Sequence, residues 1–161
     1  MHVHDDDADR DRLGEFGLDY HTELSVQYVE DMPEAKYIGT ENQADRNVVW
    51  FEFSNVELSA SIYPSSPAVC IGADTRIPFH AFQANAAWIL RTCADHGVGI
   101  DLDVDEKSGQ TWMFVFLRVF WAGYNYEVFG AVCDDLVQCR KALETRLPIE
   151  APHERPPGED P

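Results

Sequence analysis

Residues 111–121 read Thr111-Trp112-Met113-Phe114-Val115-Phe116-Leu117-Arg118-Val119-Phe120-Trp121. Both alternating sets are apolar, and aromatic and β-branched side chains dominate, which describes a strand inside a sheet. Just upstream, Val98 to Asp105 alternates strictly, with Val98, Ile100, Leu102 and Val104 set against Gly99, Asp101, Asp103 and Asp105. That strand has one apolar and one wet face, and Lys107-Ser108-Gly109 turns it into the next, so the two form a hairpin. A wet neighbour implies a sheet with one covered side and one usable side. Either Trp112, Phe114, Phe116 and Phe120, or Met113, Val115, Leu117 and Val119, then face a cover that a subunit or a bound protein is expected to provide.

Outward from the hairpin, Phe79, Phe82, Ala86, Ile89, Leu90 and Cys93 recur at helical spacing, with Pro78 at the start and Gly97 just past the end, so a helix is predicted over about 79–96. Val48 to Phe53 and Val56 to Tyr63 read as strands joined at Ser54-Asn55, and Val69-Cys70-Ile71 as a short third strand before Gly72 and Asp74 turn the chain. On the far side of the hairpin Asn125 caps a predicted helix to about Leu147, stopped by Pro148. Residues 16–32 fit a helix face through Leu24, Tyr28 and Met32, or a strand through Leu24, Val26 and Tyr28; the caps Asp19 and Thr22 favour the helix. Ala35 to Gly39 is a candidate short strand, and Thr40 to Asn47 is turn-like. The expected fold is α+β: one antiparallel sheet of about five strands with two main helices on one face, spanning residues 13–147. An acidic arm over 1–12 and a proline-rich tail over 148–161 have too little to bury and are expected to be disordered.

The 161 residues carry 12 Lys and Arg against 29 Asp and Glu, a formal net charge of -17. Such a field repels phosphate backbones and anionic lipid, so direct binding of nucleic acid or a membrane is not expected, and a partner with a basic surface is. Solubility alone would account for the same charge. Cys70, Cys93, Cys133 and Cys139 lie in apolar segments without a Cys-x-x-Cys pair, which fits reduced thiols in a cytoplasmic protein. No run reaches the roughly 20 apolar residues of a membrane helix, and the N-terminus does not resemble a signal peptide.

The candidate residues for chemistry argue against an enzyme. Asp101, Asp103 and Asp105 stand about 6.5–7 Å apart along a strand, too far to share a small ion unless the strand bends. Cys93 and His96 lack a second ligand pair, and there is no phosphate loop, nucleophile elbow or His-Glu-x-x-His motif, so neither a cofactor nor a metal is expected. The aspartates suit a basic partner surface instead. Trp121, Tyr124 and Tyr126, on the connection after the central strand, are read as core anchors or as an aromatic contact surface.

The order of elements, the helix 79–96 followed by the hairpin of Val98–Asp105 and Thr111–Trp121, and the acidity resemble the secretion-chaperone-like fold, shared by type III secretion chaperones and a family of bacterial sensory-transduction regulators. The resemblance covers about residues 16–147. It implies a non-enzymatic homodimer holding a partner polypeptide along its sheet and helix surface. A second expectation is an inhibitor, either a toxin-immunity protein or a phage-encoded decoy acting in the host cytoplasm. Alternating aspartates at near-phosphate spacing would then occupy the basic groove of a nucleic-acid-binding enzyme.

Overall fold

In the computed structural model the chain runs α1 (Asp6–Asp31), β1 (Ala35–Asn42), β2 (Asn47–Phe53), β3 (Val56–Ile62), β4 (Ala68–Pro78), α2 (Phe79–Asp95), β5 (Gly99–Asp105), β6 (Gln110–Phe120), a single 3-10 turn (Trp121–Gly123) and α3 (Tyr126–Glu144). The structure describes residues 6–149 except 106, with side chains from 18 onward. The strands form one antiparallel sheet in the order β1-β2-β3-β4-β6-β5, so the fold is the expected α+β architecture with a sixth strand and a third helix. Residues 111–120 form an interior strand as expected, though not the middle one: β6 lies between β4 and the edge strand β5, pairing with β4 over all of Ala68–Pro78.

β4 departs from the expectation. Gly72 and Asp74 were read as a turn, yet both lie inside an 11-residue strand. The glycine is there because Phe114 covers it: a Cβ at Gly72 would stand 2.4 Å from Phe114 Cζ and 2.7 Å from the Val115 carbonyl oxygen. Asp74 continues the ladder, pairing with Phe114, and its side chain falls on the wet side of the sheet. The β2–β3 connection is as tight as its residues suggest. Ser54 and Asn55 both have positive φ, 48° and 66°, the backbone of a two-residue hairpin turn whose twist matches the strands.

All three helices lie on the same side of the sheet, α1 over β1–β3, α2 over β4–β6 and α3 over β2, β4 and β6. Beneath them Val49, Phe51, Leu58, Ala60, Ile71, Ile77, Met113 and Val115 are buried with Ile89, Phe129, Leu136 and Leu143. Phe51 meets Phe129 at 5.5 Å between ring centroids, joining the sheet to α3. α3 starts where Asn125 accepts a bond from the Val128 amide at 2.9 Å, and α2 ends at Gly97, whose φ of 69° suits a left-handed cap. α2 is rotated slightly from its predicted stripe: Ala81, Ile89, Thr92 and Cys93 are buried, whereas Leu90 is half exposed.

α1 settles the helix-or-strand question, and its burial explains the ambiguity. Its inward residues Thr22, Ser25, Val29 and Met32 follow helical spacing, but two of them are hydroxyl residues. Their polar groups are satisfied locally: Thr22 donates to the Leu18 carbonyl at 2.6 Å and Ser25 to the His21 carbonyl at 2.7 Å. The Asn47 amide then donates to Thr22 at 3.1 Å, fixing the helix to the start of β2. α1 takes in residues 6–12 of the expected arm, while residues 1–5 and 150–161 lie outside the described residues. Ile149, inside the expected tail, packs against the core.

Candidate functional site

The side of the sheet away from the helices is a trough of about 440 Å³. Strand register places its parts. Because Asp74 and Asp101 both pair with Phe114, and Arg76 and Asp103 both pair with Trp112, these groups form two rows across β4, β6 and β5. Met113, Val115 and Val119 point to the helices, so Trp112, Phe114, Phe116 and Phe120 form the other set, on the open side. On β2 and β3, Val48 pairs with Ser61 and Trp50 with Ser59, carrying the trough across to the sheet's first half.

Its floor combines rings, hydroxyls and charge. Phe114 lies over Gly72 and Phe116 over Gly99, where a Cβ would stand 2.8 Å from the ring, and the two rings stack at 5.6 Å. Glycines at these positions let aromatic side chains lie down on the sheet instead of standing from it. Ser59 and Ser61 are buried with their side chains in the trough. Three arginines each sit over a ring: Arg76 over Trp112 at 5.4 Å, Arg118 over Phe116 at 5.5 Å and Arg46 over Tyr63 at 5.6 Å. Such cation–ring contacts contribute about 0.5–1 kcal/mol each where solvent still reaches them.

Asp74 lines the trough with its side chain open to solvent but its carboxyl crowded by neighbouring atoms. Burial pushes its carboxyl above the usual carboxylate range, and the charge of Arg46 pulls it only partly back. Asp105 behaves in the opposite way at the rim. The Ser108 hydroxyl at 2.8 Å and the Lys107 amide at 3.0 Å donate to it, and these bonds hold its carboxyl below the ordinary range.

The expected site residues separate onto opposite sides. Asp101, Asp103 and Asp105 are exposed on the open side of β5, an edge strand, in register with Phe114, Trp112 and Gln110. Trp121, Tyr124 and Tyr126 instead hold the end of the sheet to α1. Trp121 stacks on His21 at 3.7 Å between centroids, and its indole donates to the Ser66 carbonyl at 2.8 Å. Tyr124 is buried and lies 2.6 Å from Ser25 Oγ; since Ser25 spends its hydrogen on His21, Tyr124 is the donor. Burial raises the Tyr124 hydroxyl well above its ordinary value despite that bond. Tyr126, partly exposed, reaches the Asp31 carbonyl at 3.2 Å.

Asp74, Trp50, Ser59 and Ser61 escape the sequence reading as site residues, whereas Phe114 belongs to one of its two expected partner-facing sets. Ser59 and Ser61 had a signal, the wet set of an alternating strand, but Asp74 had none once it was read as part of a turn. The thiols are all free. Cys93 pairs with Cys139 across the α2–α3 contact and not with His96; Cys139 donates to Cys93, which raises the first and lowers the second. Among the described residues no group of three His, Cys, Asp or Glu gathers to hold a metal, and no helix is long and apolar enough to cross a membrane.

No protein-family model and no curated protein matches the sequence. The fold is similar to the crystal structure of an uncharacterized protein from Methanothermobacter thermautotrophicus, with a TM-score of 0.62 and 11% identity over 77% of this chain and 94% of that one. At that identity the likeness is one of fold alone.

Proposed function

We propose that the protein is an acidic, non-enzymatic binding module of the chaperone or adaptor kind, which holds a basic segment of a partner polypeptide on the open side of its sheet. One observation carries this: among the described residues no helix packs on the aromatic floor of β6 on its open side, where only arginine side chains lie over Trp112 and Phe116. Partly exposed rings in a depression, bordered by carboxylates, form the kind of surface that partners desolvate at the centre and steer towards by charge. The trough lining has Asp74, Asp101 and Asp103 against Arg46, with Arg76 and Arg118 beside it over their rings, and the whole chain carries a net charge of -17. A homodimer built on this side would oppose like charges, which favours a basic partner over a second copy. The free thiols are in keeping with a reducing compartment such as the cytoplasm.

Photo-crosslinking residues placed at Trp112 and, separately, at Gln138 on the exposed side of α3 test this in extracts of the source cell. A polypeptide captured at Trp112, weakened by salt and absent at Gln138, is the expected result; equal capture at both, or none at Trp112, overturns it.

A second reading, an inhibitor that mimics nucleic acid, draws on the three exposed β5 aspartates at about 6.5–7 Å spacing. Salt-sensitive inhibition of a nuclease, abolished when Asp101, Asp103 and Asp105 are changed to Asn, would favour it. The neighbouring rings Trp112, Phe114 and Phe116 have no counterpart in a phosphate backbone and weigh for the first reading.

A further inference from the structure

The open side repeats one local device, an arginine laid over a ring, at Trp112, Phe116 and Tyr63. Phe114 breaks the pattern. It lies between Trp112 and Phe116 on the same strand face, and its neighbours across the sheet are two carboxylates, Asp74 on β4 and Asp101 on β5. With strands about 4.8 Å apart, those two residues stand roughly 10 Å from each other, with Phe114 between them in register and its ring lying over Gly72 on the β4 side. In the same trough, the hydroxyls of Ser59 and Ser61, on side chains 5% and 8% exposed, make no hydrogen bond to a described residue.

We propose that Phe114, with Asp74 and Asp101 on either side, is the seat of a guanidinium group, that of an arginine in the bound polypeptide. The proposal rests on the binding-module reading above and names what the module recognises. A planar cation can lie flat on the ring while its forked N–H groups point sideways to carboxylates, and its remaining donors suit hydroxyl acceptors; an ammonium has the charge but neither the plane nor the fork. The charge is complementary, since the trough lining holds more carboxylates than cations. The chain's undescribed ends are poor occupants: residues 150–161 carry Glu150, Glu154, Glu159 and Asp160 against Arg155.

The test is an NMR titration of the full chain with the blocked tripeptide acetyl-Gly-Arg-Gly-amide and its lysine counterpart, following the backbone amides of Gly72, Asp101 and Phe114. The arginine peptide is expected to shift these amides and to bind roughly threefold or more tightly than the lysine peptide. Changing Asp74→Asn and Asp101→Asn together should abolish the preference, and Phe114→Leu should weaken arginine selectively. Equal binding of the two peptides, or shifts confined to the helix side, overturns the proposal. Where a long basic polypeptide still crosslinks at Trp112 while the tripeptides do not differ, only the guanidinium seat falls. Where neither binds, the binding-module reading falls with it.

Discussion

The two sides of the sheet use the same strands for opposite ends. On the helix side, Phe51, Ile71, Met113 and Val115 are fully buried in one cluster with Ile89, Phe129, Leu136 and Leu143 of the helices. On the other side, Trp112, Phe114 and Phe116 are comparably large and apolar yet stay partly exposed; Phe114 and Phe116 lie down over glycines, and Trp112 and Phe116 each carry an arginine. The difference shows that apolar volume in β6 is not all core. One alternating set holds the fold together; the other is kept flat, charged at its margins and available.

The contrast breaks most directly by truncating a ring on each side. Phe129→Ala, which empties the site beneath Phe51, should cost about 3–5 kcal/mol in urea unfolding, whereas Phe116→Ala should cost about 1 kcal/mol. Equal losses would mean the open side is core after all. Gly72→Ala should come next, at about 1–3 kcal/mol, because its new methyl group meets both a ring and the Val115 carbonyl. In that variant the Phe114 ring resonances should move; unchanged resonances would show that the ring is not seated on the glycine.

Tyr124→Phe tests the clamp between α1 and the sheet. It removes the bond to Ser25 but leaves Ser25 bonded to His21, so a loss of about 1 kcal/mol is expected, with faster amide exchange in α1. The smallest effects come from two carboxylates with opposite signs. Asp74 has a raised carboxyl, so its contribution to stability is present in acid and is lost as pH rises through the raised value. Asp74→Asn should therefore raise the urea midpoint slightly at neutral pH, and that gain should disappear in acid. Asp105 has a lowered carboxyl, so its contribution is present at neutral pH and is lost as pH falls through the lowered value. Asp105→Ala should speed amide exchange in the Lys107–Gly109 turn at neutral pH, and the difference from the parent should vanish in acid.

Much of this architecture was legible in the chain. The alternation of Val98 to Asp105, the apolar run of 111–121, the helical stripe from Phe79 and the cap at Asn125 all report periodicities that local geometry enforces. Where legibility failed, the missing information was about neighbours. Gly72 looks like a breaker until Phe114 lies on it, and Thr22 and Ser25 blur the α1 stripe until Leu18, His21, Asn47 and Tyr124 satisfy their hydroxyls. For Trp121 and Tyr124 the local pattern points first to core anchoring, with a contact surface as the alternative. Only the position of α1 makes Tyr124 a buried clamp.

By itself the sequence determined the element types outside α1 and the middle of β4, the excess of negative charge and the existence of a wet strand face at Asp101, Asp103 and Asp105, because these follow from side-chain period and formal charge. Tertiary structure alone decided which set of β6 faces the helices and that Asp74 joins Asp101 around Phe114. Strand register and the side chosen by a helix depend on contacts among residues far apart in the chain, which no local pattern encodes.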